Sequence, residues 1–212
     1  MTALAVEDAL AWAREMISEP LRSSEVAYAD EDRTTLRLVS RLGTIAYLKV
    51  APDMGGERDR LAWAAGKLPV AEVLGFHPGD GVDWLLMSGL SGEPLSNPEH
   101  TAQPERLVNR LADALHRVHA LDPHGCPFGD LSHGDVVIHG DACLPNFLAT
   151  DDGLAGYIDL GGLRRASVEI DLAAAVWSLQ YNLGPGWGAP FLAAYGWPND
   201  EETVEALRQS YE

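Results

Sequence analysis

The chain has 212 residues, of which 46% are hydrophobic, and a formal net charge of −17 at pH 7. This length accommodates one or two small domains with a buried core. A surface this acidic repels nucleic-acid phosphates and anionic lipid, so neither nucleic acid nor a membrane is expected as a partner, and it attracts small cations. No apolar run reaches the length of a membrane span, and two cysteines without framework or zinc spacing indicate a reducing compartment, here the cytoplasm.

The N-terminal part predicts a helix followed by a small antiparallel sheet. Helical periodicity covers residues 2–18, and short β-rich segments separated by turn residues follow it. The strands are predicted at residues 25–28, 34–40, 44–50, 69–75 and 82–87. Short strands joined by tight turns are typical of an antiparallel sheet.

One strand of this sheet carries a candidate phosphate ligand. Lys49 ends the apolar segment Ile45-Ala46-Tyr47-Leu48-Lys49, and Glu57 opens a helical stretch soon after it. In kinases, a lysine in this position contacts the α- and β-phosphates and is held by a helix glutamate. A lone lysine at a strand end is otherwise a solvated surface residue, so Glu57 is what favours the paired interpretation.

The C-terminal part predicts mainly helices. The longest covers residues 104–120, where leucines recur at helical spacing, and a final helix covers 200–211 with Asp200 as its cap. His116 and His119 share one face of the longest helix, an arrangement that can bind a metal ion. Because no third ligand lies nearby in the sequence, we expect one histidine at the surface and the other packed against the loop that contains Asp141.

Three polar residues, Asp141, Asn146 and Asp159, follow or precede apolar runs in the stretch from Val136 to Leu163. Asp141 follows one such run in His139-Gly140-Asp141-Ala142-Cys143-Leu144-Pro145-Asn146, and Asp159 follows another in Tyr157-Ile158-Asp159-Leu160-Gly161. Asp151-Asp152-Gly153 between them is a strong hairpin signal. The hairpin brings Asp159 back to the end at which Asn146 lies, and the Asp141 loop enters beside both.

This arrangement suits phosphoryl transfer. The spacing His-x-Asp-x-x-x-x-Asn is that of the kinase catalytic loop, and Asp-Leu-Gly stands in place of Asp-Phe-Gly. Asp141 is the candidate that orients and deprotonates the attacking hydroxyl, while Asn146 and Asp159 are the candidate Mg²⁺ ligands. Either half alone is equally well explained as a polar loop, and the two halves together at hairpin spacing favour the catalytic interpretation.

The two motifs around Asp141 and Asp159 resemble those of the aminoglycoside phosphotransferases. The similarity is specifically to enzymes that phosphorylate the 3-prime or 3-double-prime hydroxyl of kanamycin- or streptomycin-like drugs. It is dense from about Tyr47 to Trp177. It aligns Lys49 and Glu57 with the lysine and the helix glutamate of the nucleotide site.

The resemblance implies an α+β, protein-kinase-like fold of two lobes. Residues 1–87 then form an N-lobe with a small antiparallel sheet, and residues 88–212 form a mainly helical C-lobe. The implied activity is transfer of the γ-phosphate of ATP, with Mg²⁺, to a hydroxyl of a small cationic molecule such as an aminoglycoside. By the same resemblance Met87 is the gatekeeper of the nucleotide site, and the backbones of Ser88 and Leu90 bond the adenine edge.

The chain departs from that family where the acceptor binds. The stretch from Phe128 to Val136 is too short for the helical segment that builds much of the drug site in the family, and the chain ends at Glu212, before the family's C-terminal tail. A pseudokinase, or nucleotide-binding module without a complete acceptor site, is therefore the alternative function. A metal-dependent phosphohydrolase is a third possibility, and it needs a second metal site for which the sequence shows no residues.

The nucleotide side also departs from the family pattern. The loop Ala29-Asp30-Glu31-Asp32-Arg33 has three acids and no glycine. Acids beside phosphates oppose binding unless magnesium or Arg33 offsets them. The arginine that usually follows Asp-Leu-Gly is Gly162, for which Arg164 or Arg165 could substitute. Both differences predict weaker nucleotide binding than in the family.

Overall fold

A computed structural model describes residues 3–132 and 135–211, so residue 2 of the predicted first helix and residues 133–134 lie outside the described part. The chain divides into two compact units. The first comprises Met1–Ala65 and Val70–Leu90, and the second comprises Gly66–Pro69 and Ser91–Glu212. The first unit therefore includes residues 88–90, and four residues near position 67 belong to the second.

The first unit is an antiparallel five-stranded sheet with two helices, in strand order β1-β2-β3-β5-β4. Its elements are α1 (Ala3–Met16), β1 (Leu21–Ala29), β2 (Thr34–Ser40), β3 (Ile45–Ala51), α2 (Gly55–Ala64), β4 (Val73–His77) and β5 (Asp83–Ser88). Ala9 and Ala13 of α1 pack against a core that includes Leu38 of β2 and Leu48 of β3. This packing buries the central strands, whereas β1 lies at the edge and is largely exposed.

The fourth strand begins later than the sequence predicted. Pro69 was expected to open it, but the strand starts at Val73. Proline has no N–H to give to a ladder, and the carbonyl of Pro69 instead accepts the N–H of Tyr157 within the second unit, at 3.0 Å. The strand ends at His77, two residues beyond the predicted limit of Gly75, and Pro78 follows directly.

The second unit combines helices with two small antiparallel sheets, ordered β6-β8-β9 and β10-β7. Its elements are β6 (Glu93–Pro94), α3 (Pro98–Thr101), α4 (Pro104–His119), β7 (Val136–Ile138), β8 (Phe147–Thr150), β9 (Gly153–Tyr157), β10 (Arg164–Ala166), α5 (Glu169–Leu183), α6 (Gly188–Tyr195) and α7 (Glu201–Tyr211). Asp200 caps α7 as predicted, since its Oδ1 accepts the N–H of Thr203 at 3.0 Å. Among the residues that the structure describes, no helix combines the length and apolar character needed to cross a membrane.

The β8–β9 hairpin is fixed at its tip by two arginines of α4. Nη2 of Arg110 donates to the carbonyl of Thr150 at 2.5 Å, and Nη2 of Arg106 donates to the carbonyl of Asp151 at 2.6 Å. At the other side of the hairpin, the hydroxyl of the fully buried Tyr157 donates to the carbonyl of Ala114 in α4. The hairpin is therefore attached to α4 both at its tip and near its base.

Candidate active site

Asp171 holds the backbone of the loop that contains Asp141. This carboxylate, near the start of α5, accepts the N–H of His139 at 2.7 Å and the N–H of Gly140 at 2.9 Å. Charge-assisted hydrogen bonds of this kind are stronger than neutral ones. An aspartate near the start of a helix can either cap that helix or bond to another segment, and Asp171 shows the second arrangement.

The Asp171 side chain is completely buried and has a third partner. Nε2 of His119 lies 3.0 Å from its Oδ2, and Nδ1 of His119 lies 2.7 Å from the hydroxyl of Tyr195. Burial alone would raise the pKa of Asp171, but the hydrogen bonds from His119 and from the loop and the nearby histidines lower it below its usual value. His119 thus packs behind the catalytic loop while His116 is exposed, as predicted.

Two glycines allow the Asp141 loop to lie directly against the loop after Asp159. Gly140 has a φ of +84°, and a Cβ added to it would overlap the carbonyl oxygen of Gly162. Arg164 lies at the same place, because its Nη1 donates to the carbonyl of Gly162 at 2.9 Å. Arg165 points elsewhere and donates to the carbonyl of Gly129. Of the two arginines proposed to replace the usual one, only Arg164 lies at the catalytic loop.

Asn146 is bonded to Asp141 itself. Its Nδ2 donates to the carboxylate Oδ2 of Asp141 at 2.9 Å and to the Asp141 carbonyl at 3.0 Å. The side-chain nitrogen of Asn146 is therefore already hydrogen-bonded, whereas the Oδ1 of Asn146 accepts no hydrogen bond within the described residues. An amide held in this way presents an oxygen, the ligand type that Mg²⁺ prefers.

The hairpin brings Asp159 to the same end as Asn146. The N–H of Ile158 donates to the carbonyl of Asn146 at 3.0 Å, directly beyond the last pair of the β8–β9 ladder. Asp159 then takes a left-handed conformation, with a φ of +58°, before a short 3₁₀ turn at Leu160–Gly162. A non-glycine residue in this region is uncommon and is often maintained at functional positions.

These two residues fit a magnesium ion that also binds phosphate. The described residues contain no cluster of three or more histidine, cysteine or acidic side chains able to hold a metal by themselves. Mg²⁺ is typically bound by one or two protein oxygens together with phosphates and water. Asn146 and Asp159 supply that number, and nucleotide phosphates would supply further oxygens.

His139, for which the sequence predicted no role, joins the two loops. It is completely buried, and its Nε2 donates to the carbonyl of Ile158 at 3.1 Å. Its Nδ1 is buried without a hydrogen-bond partner in the described part of the chain. The ring therefore ties the Asp141 loop to the residue before Asp159. Only its place in the His-x-Asp motif marked it in the sequence.

Lys49 and Glu57 form a buried ion pair in the first unit. Nζ of Lys49 lies 2.6 Å from Oε1 of Glu57, with side-chain exposures of 11% and 3%. The connection between β3 and α2 folds back through Asp53, which has a φ of +54°. Asp83 supports this turn by accepting the N–H of Met54 at 3.0 Å. The pairing that the sequence predicted is thus present.

Of the three predicted adenine-site residues, Met87 and Ser88 end β5 and Leu90 lies two residues beyond it. Met87 is buried, and the N–H of Ser88 is donated to the carbonyl of Glu72 at 2.9 Å. The next N–H, that of Gly89, is donated to Ile45. Leu90 is partly exposed, and among the described residues its N–H has no hydrogen-bond partner. Of the N–H groups of Ser88, Gly89 and Leu90, that of Leu90 is therefore the one left without a partner among the described residues, and it could donate to a nucleotide.

The acidic loop between β1 and β2 uses one of its acids to form its own turn. Asp30 accepts hydrogen bonds from the N–H groups of Asp32 and Arg33 and from the hydroxyl of Tyr28. The backbone hydrogen bonds from Asp32 and Arg33 are the main reason why the pKa of Asp30 is lowered. Hydrogen bonds to the side chain of Asp30 thus stabilise this turn without a glycine.

The structure groups the predicted residues within each unit. In the second, Asp141, Asn146 and Asp159 lie at adjoining loop ends, and in the first Lys49 contacts Glu57. A further contact was not predicted: the hydroxyl of Tyr211, in α7, lies 3.5 Å from Sγ of Cys143, two residues beyond Asp141. Burial is the main reason why the pKa of Cys143 is raised to about 11, so this thiol stays protonated.

Comparisons with known proteins agree with this arrangement. The model of the phosphotransferase enzyme family matches residues 19–135 and 130–207, which together span most of the chain. The chain belongs to this family. Among curated relatives, the aminoglycoside 3'-phosphotransferase of Niallia circulans is 29% identical, across 76% of this chain and 81% of the relative. The streptomycin 3''-kinase of Streptomyces griseus is 27% identical, across 58% and 64%.

Solved structures show the same fold for this phosphotransferase. The crystal structure of an aminoglycoside-3'-phosphotransferase of type VIII has a TM-score of 0.76 and 24% identity, covering 95% of this chain and 96% of that one. The aminoglycoside phosphotransferase APH(3'')-Id from Streptomyces rimosus, solved with ADP and streptomycin, also has a TM-score of 0.76 and 24% identity, covering 98% and 97%. The prediction of a kinase-like phosphotransferase is confirmed in both fold and enzyme class, while the roles of single residues stay predictions.

Proposed function

We propose that this phosphotransferase moves the γ-phosphate of ATP to a hydroxyl of a small cationic molecule, most readily an aminoglycoside. The observation that carries the proposal is the hydrogen bond between Asn146 and Asp141 on a loop fixed by Asp171. It orients a carboxylate and an amide oxygen together, and Asp159 is brought to the same end of the hairpin. Hydroxyl activation and metal binding by neighbouring groups are what phosphoryl transfer requires.

Each predicted residue has a distinct role in this proposal. Asp141 accepts a hydrogen bond from the acceptor hydroxyl and takes its proton as the oxygen bonds to the γ-phosphorus and ADP leaves. Asn146 and Asp159 hold Mg²⁺, which neutralises charge on the phosphates. Lys49, oriented by Glu57, contacts the α- and β-phosphates.

The proposed adenine site lies at the end of β5. Leu90 donates its backbone N–H to the adenine edge, the backbone of Ser88 bonds the same edge, and Met87 lies behind it. Residues 1–87 then form the nucleotide-binding lobe and residues 88–212 the catalytic lobe. Backbone recognition of this kind needs no particular side chain at Ser88 or Leu90.

The acceptor class is inferred from the named relatives and from charge. The relatives are aminoglycoside phosphotransferases by name, and aminoglycosides are polycations that suit a chain with a net charge of −17. In the second unit, an open cavity of about 750 Å³ is lined by Glu169, Asp200 and Glu202 and also by Tyr211, which contacts the catalytic loop. We place the enzyme in the cytoplasm, where ATP is supplied and its two free cysteines stay reduced.

The test compares two aspartates in identical triplets. The sequence contains His133-Gly134-Asp135 as well as His139-Gly140-Asp141. Asp141→Asn should lower kcat for aminoglycoside phosphorylation about a hundredfold to ten-thousandfold, the usual contribution of a positioned acid–base group. Asp135→Asn makes the same change at a carboxylate that accepts the N–H of Ser132, and it should leave kcat within about twofold.

Phosphate transfer to kanamycin and streptomycin would be followed by coupled ADP release, and thermal melts would check that both variants are folded. Unchanged turnover in Asp141→Asn would overturn the proposed base. Wild-type protein that is stabilised by Mg·ATP but transfers no phosphate to any acceptor would instead favour the nucleotide-binding module.

A further inference from the structure

Three aromatic side chains on α5 and α7 form a stacked cluster, here called the aromatic platform. The rings of Trp177 and Tyr181 have centroids 5.3 Å apart and planes inclined by 12°, and Trp177 lies 5.2 Å from Tyr211. Tyr181 is 76% exposed and Tyr211 is 39% exposed. The hydroxyl of Tyr181 has no partner in the described part of the chain. The platform thus presents two tyrosine rings to solvent and supports them on one tryptophan.

The platform adjoins the catalytic loop through two contacts. Tyr211 reaches Sγ of Cys143 at 3.5 Å, and Ser178, next to Trp177, accepts the N–H of Leu144 at 2.9 Å. Cys143 and Leu144 are the second and third residues after Asp141. The cluster therefore lies beside the carboxylate proposed to activate the acceptor, on the same unit.

We propose that the aromatic platform binds an amine-bearing sugar ring of the acceptor. This inference rests on the proposed function and identifies which residues position its substrate. A sugar ring can lie on an aromatic face through its C–H groups, and an ammonium group is attracted to the same face by the ring quadrupole. Both interactions need only an exposed ring face, which the platform provides. The negative charge of Asp141 nearby favours a cationic sugar over a neutral one.

Tyr181 is the residue with which to test this. It contacts Trp177 at the surface and makes no side-chain hydrogen bond within the described residues, so Tyr181→Ala removes a binding surface and leaves the core unchanged. We expect the KM for streptomycin and kanamycin to rise about two- to fivefold, the range of an exposed cation–π contact. The kcat and the KM for ATP should stay unchanged, because neither depends on this ring. A purely structural role would alter the melting temperature instead.

Tyr181→Phe is the matched control, because it keeps the ring and removes only the unpartnered hydroxyl. It should retain the wild-type KM. Calorimetry without ATP would measure the affinity of wild type and both variants for the same drugs and, for comparison, for a neutral disaccharide. This measurement reports binding to the platform separately from phosphate transfer. Tyr181→Ala with wild-type KM and wild-type drug affinity would overturn the platform while leaving the phosphotransferase intact. Wild-type protein that binds the drugs but transfers no phosphate would overturn the proposed function alone, and wild-type protein that binds neither drug would overturn both.

Discussion

Two buried carboxylates position the polar groups of this phosphotransferase, Glu57 in the first unit and Asp171 in the second. Glu57 contacts the end of one long, flexible side chain, that of Lys49, through an ion pair. Asp171 instead binds two backbone N–H groups of the catalytic loop and one histidine ring. The difference teaches that Glu57 orients a side chain, whereas Asp171 fixes the backbone conformation of the loop that contains Asp141.

Removing Asp171 should have the largest effect on stability. Asp171→Ala leaves the N–H groups of His139 and Gly140 and the ring of His119 without their acceptor in a buried place. The loss of one partner of a buried charged network costs about 3–5 kcal/mol, so the free energy of unfolding in urea should fall by that amount. Asp113→Ala, at an exposed position of α4, is the control and should change it little. A loss as small as the control's would mean that the loop does not depend on Asp171.

Adding one methyl group to the catalytic loop should have the next largest effect. Gly140→Ala combines a φ of +84° with overlap against Gly162, and should cost about 2–3 kcal/mol, measured by urea unfolding. Gly196→Ala has nearly the same φ, +81°, but no atom within 4 Å of the added Cβ. It should therefore cost only about 1 kcal/mol. Equal costs would show that backbone conformation, and not contact between the two loops, makes Gly140 necessary.

The ion pair of the first unit should affect activity more than stability. Glu57→Gln removes the charge that orients Lys49, and kcat/KM for ATP should fall on the order of tenfold to a hundredfold, as is typical when a residue that orients a ligand-binding group is changed. Asp59→Asn on the same helix removes an exposed pair with Arg58 and should change kcat/KM little. Equal decreases of kcat/KM in Glu57→Gln and Asp59→Asn would show that the ion pair with Lys49 does not contribute to catalysis.

The smallest expected effect is a pH dependence confined to acid. The native pKa of Asp171 lies below its unfolded value of about 3.9. The ionised carboxylate therefore stabilises the fold above that value, and the contribution is lost as pH falls through the native pKa. Urea unfolding between about pH 6 and pH 3 should show stability falling less steeply in Asp171→Asn than in the wild type. Parallel curves would indicate that Asp171 is not the group responsible.

The sequence predicted the parts of the site whose residues are close together in the chain. The spacing from Asp141 to Asn146 and the turn signal at 151–153 were enough to place Asp159 beside Asn146, because a short hairpin allows few registers. Lys49 and Glu57 were likewise separated by one short connection. Secondary-structure limits were less accurate where proline or a turn competed, as at the start of β4.

Contacts between distant residues could not be read from the sequence. Asp171 lies 32 residues from His139, and the two roles that its sequence position allowed were separated only by the structure. Tyr211 and Cys143 are 68 residues apart and carry no motif that links them. The aromatic platform could not be predicted either, because tyrosines near the end of a helix are usually isolated surface residues. Only the ring contacts in the structure show that these side chains form a cluster.

The attachment of the β8–β9 hairpin to α4 limits how this enzyme can be engineered. Exposed two-residue turns are the usual places to insert an epitope tag or to open a circularly permuted chain. The side chain of Asp151 is fully exposed, yet the carbonyls of Thr150 and Asp151 hold Arg110 and Arg106. A tag inserted there would pull on β8 and β9, whose other ends lie next to Asn146 and Asp159. The turn at Leu42, which is 82% exposed, is the better place for new termini.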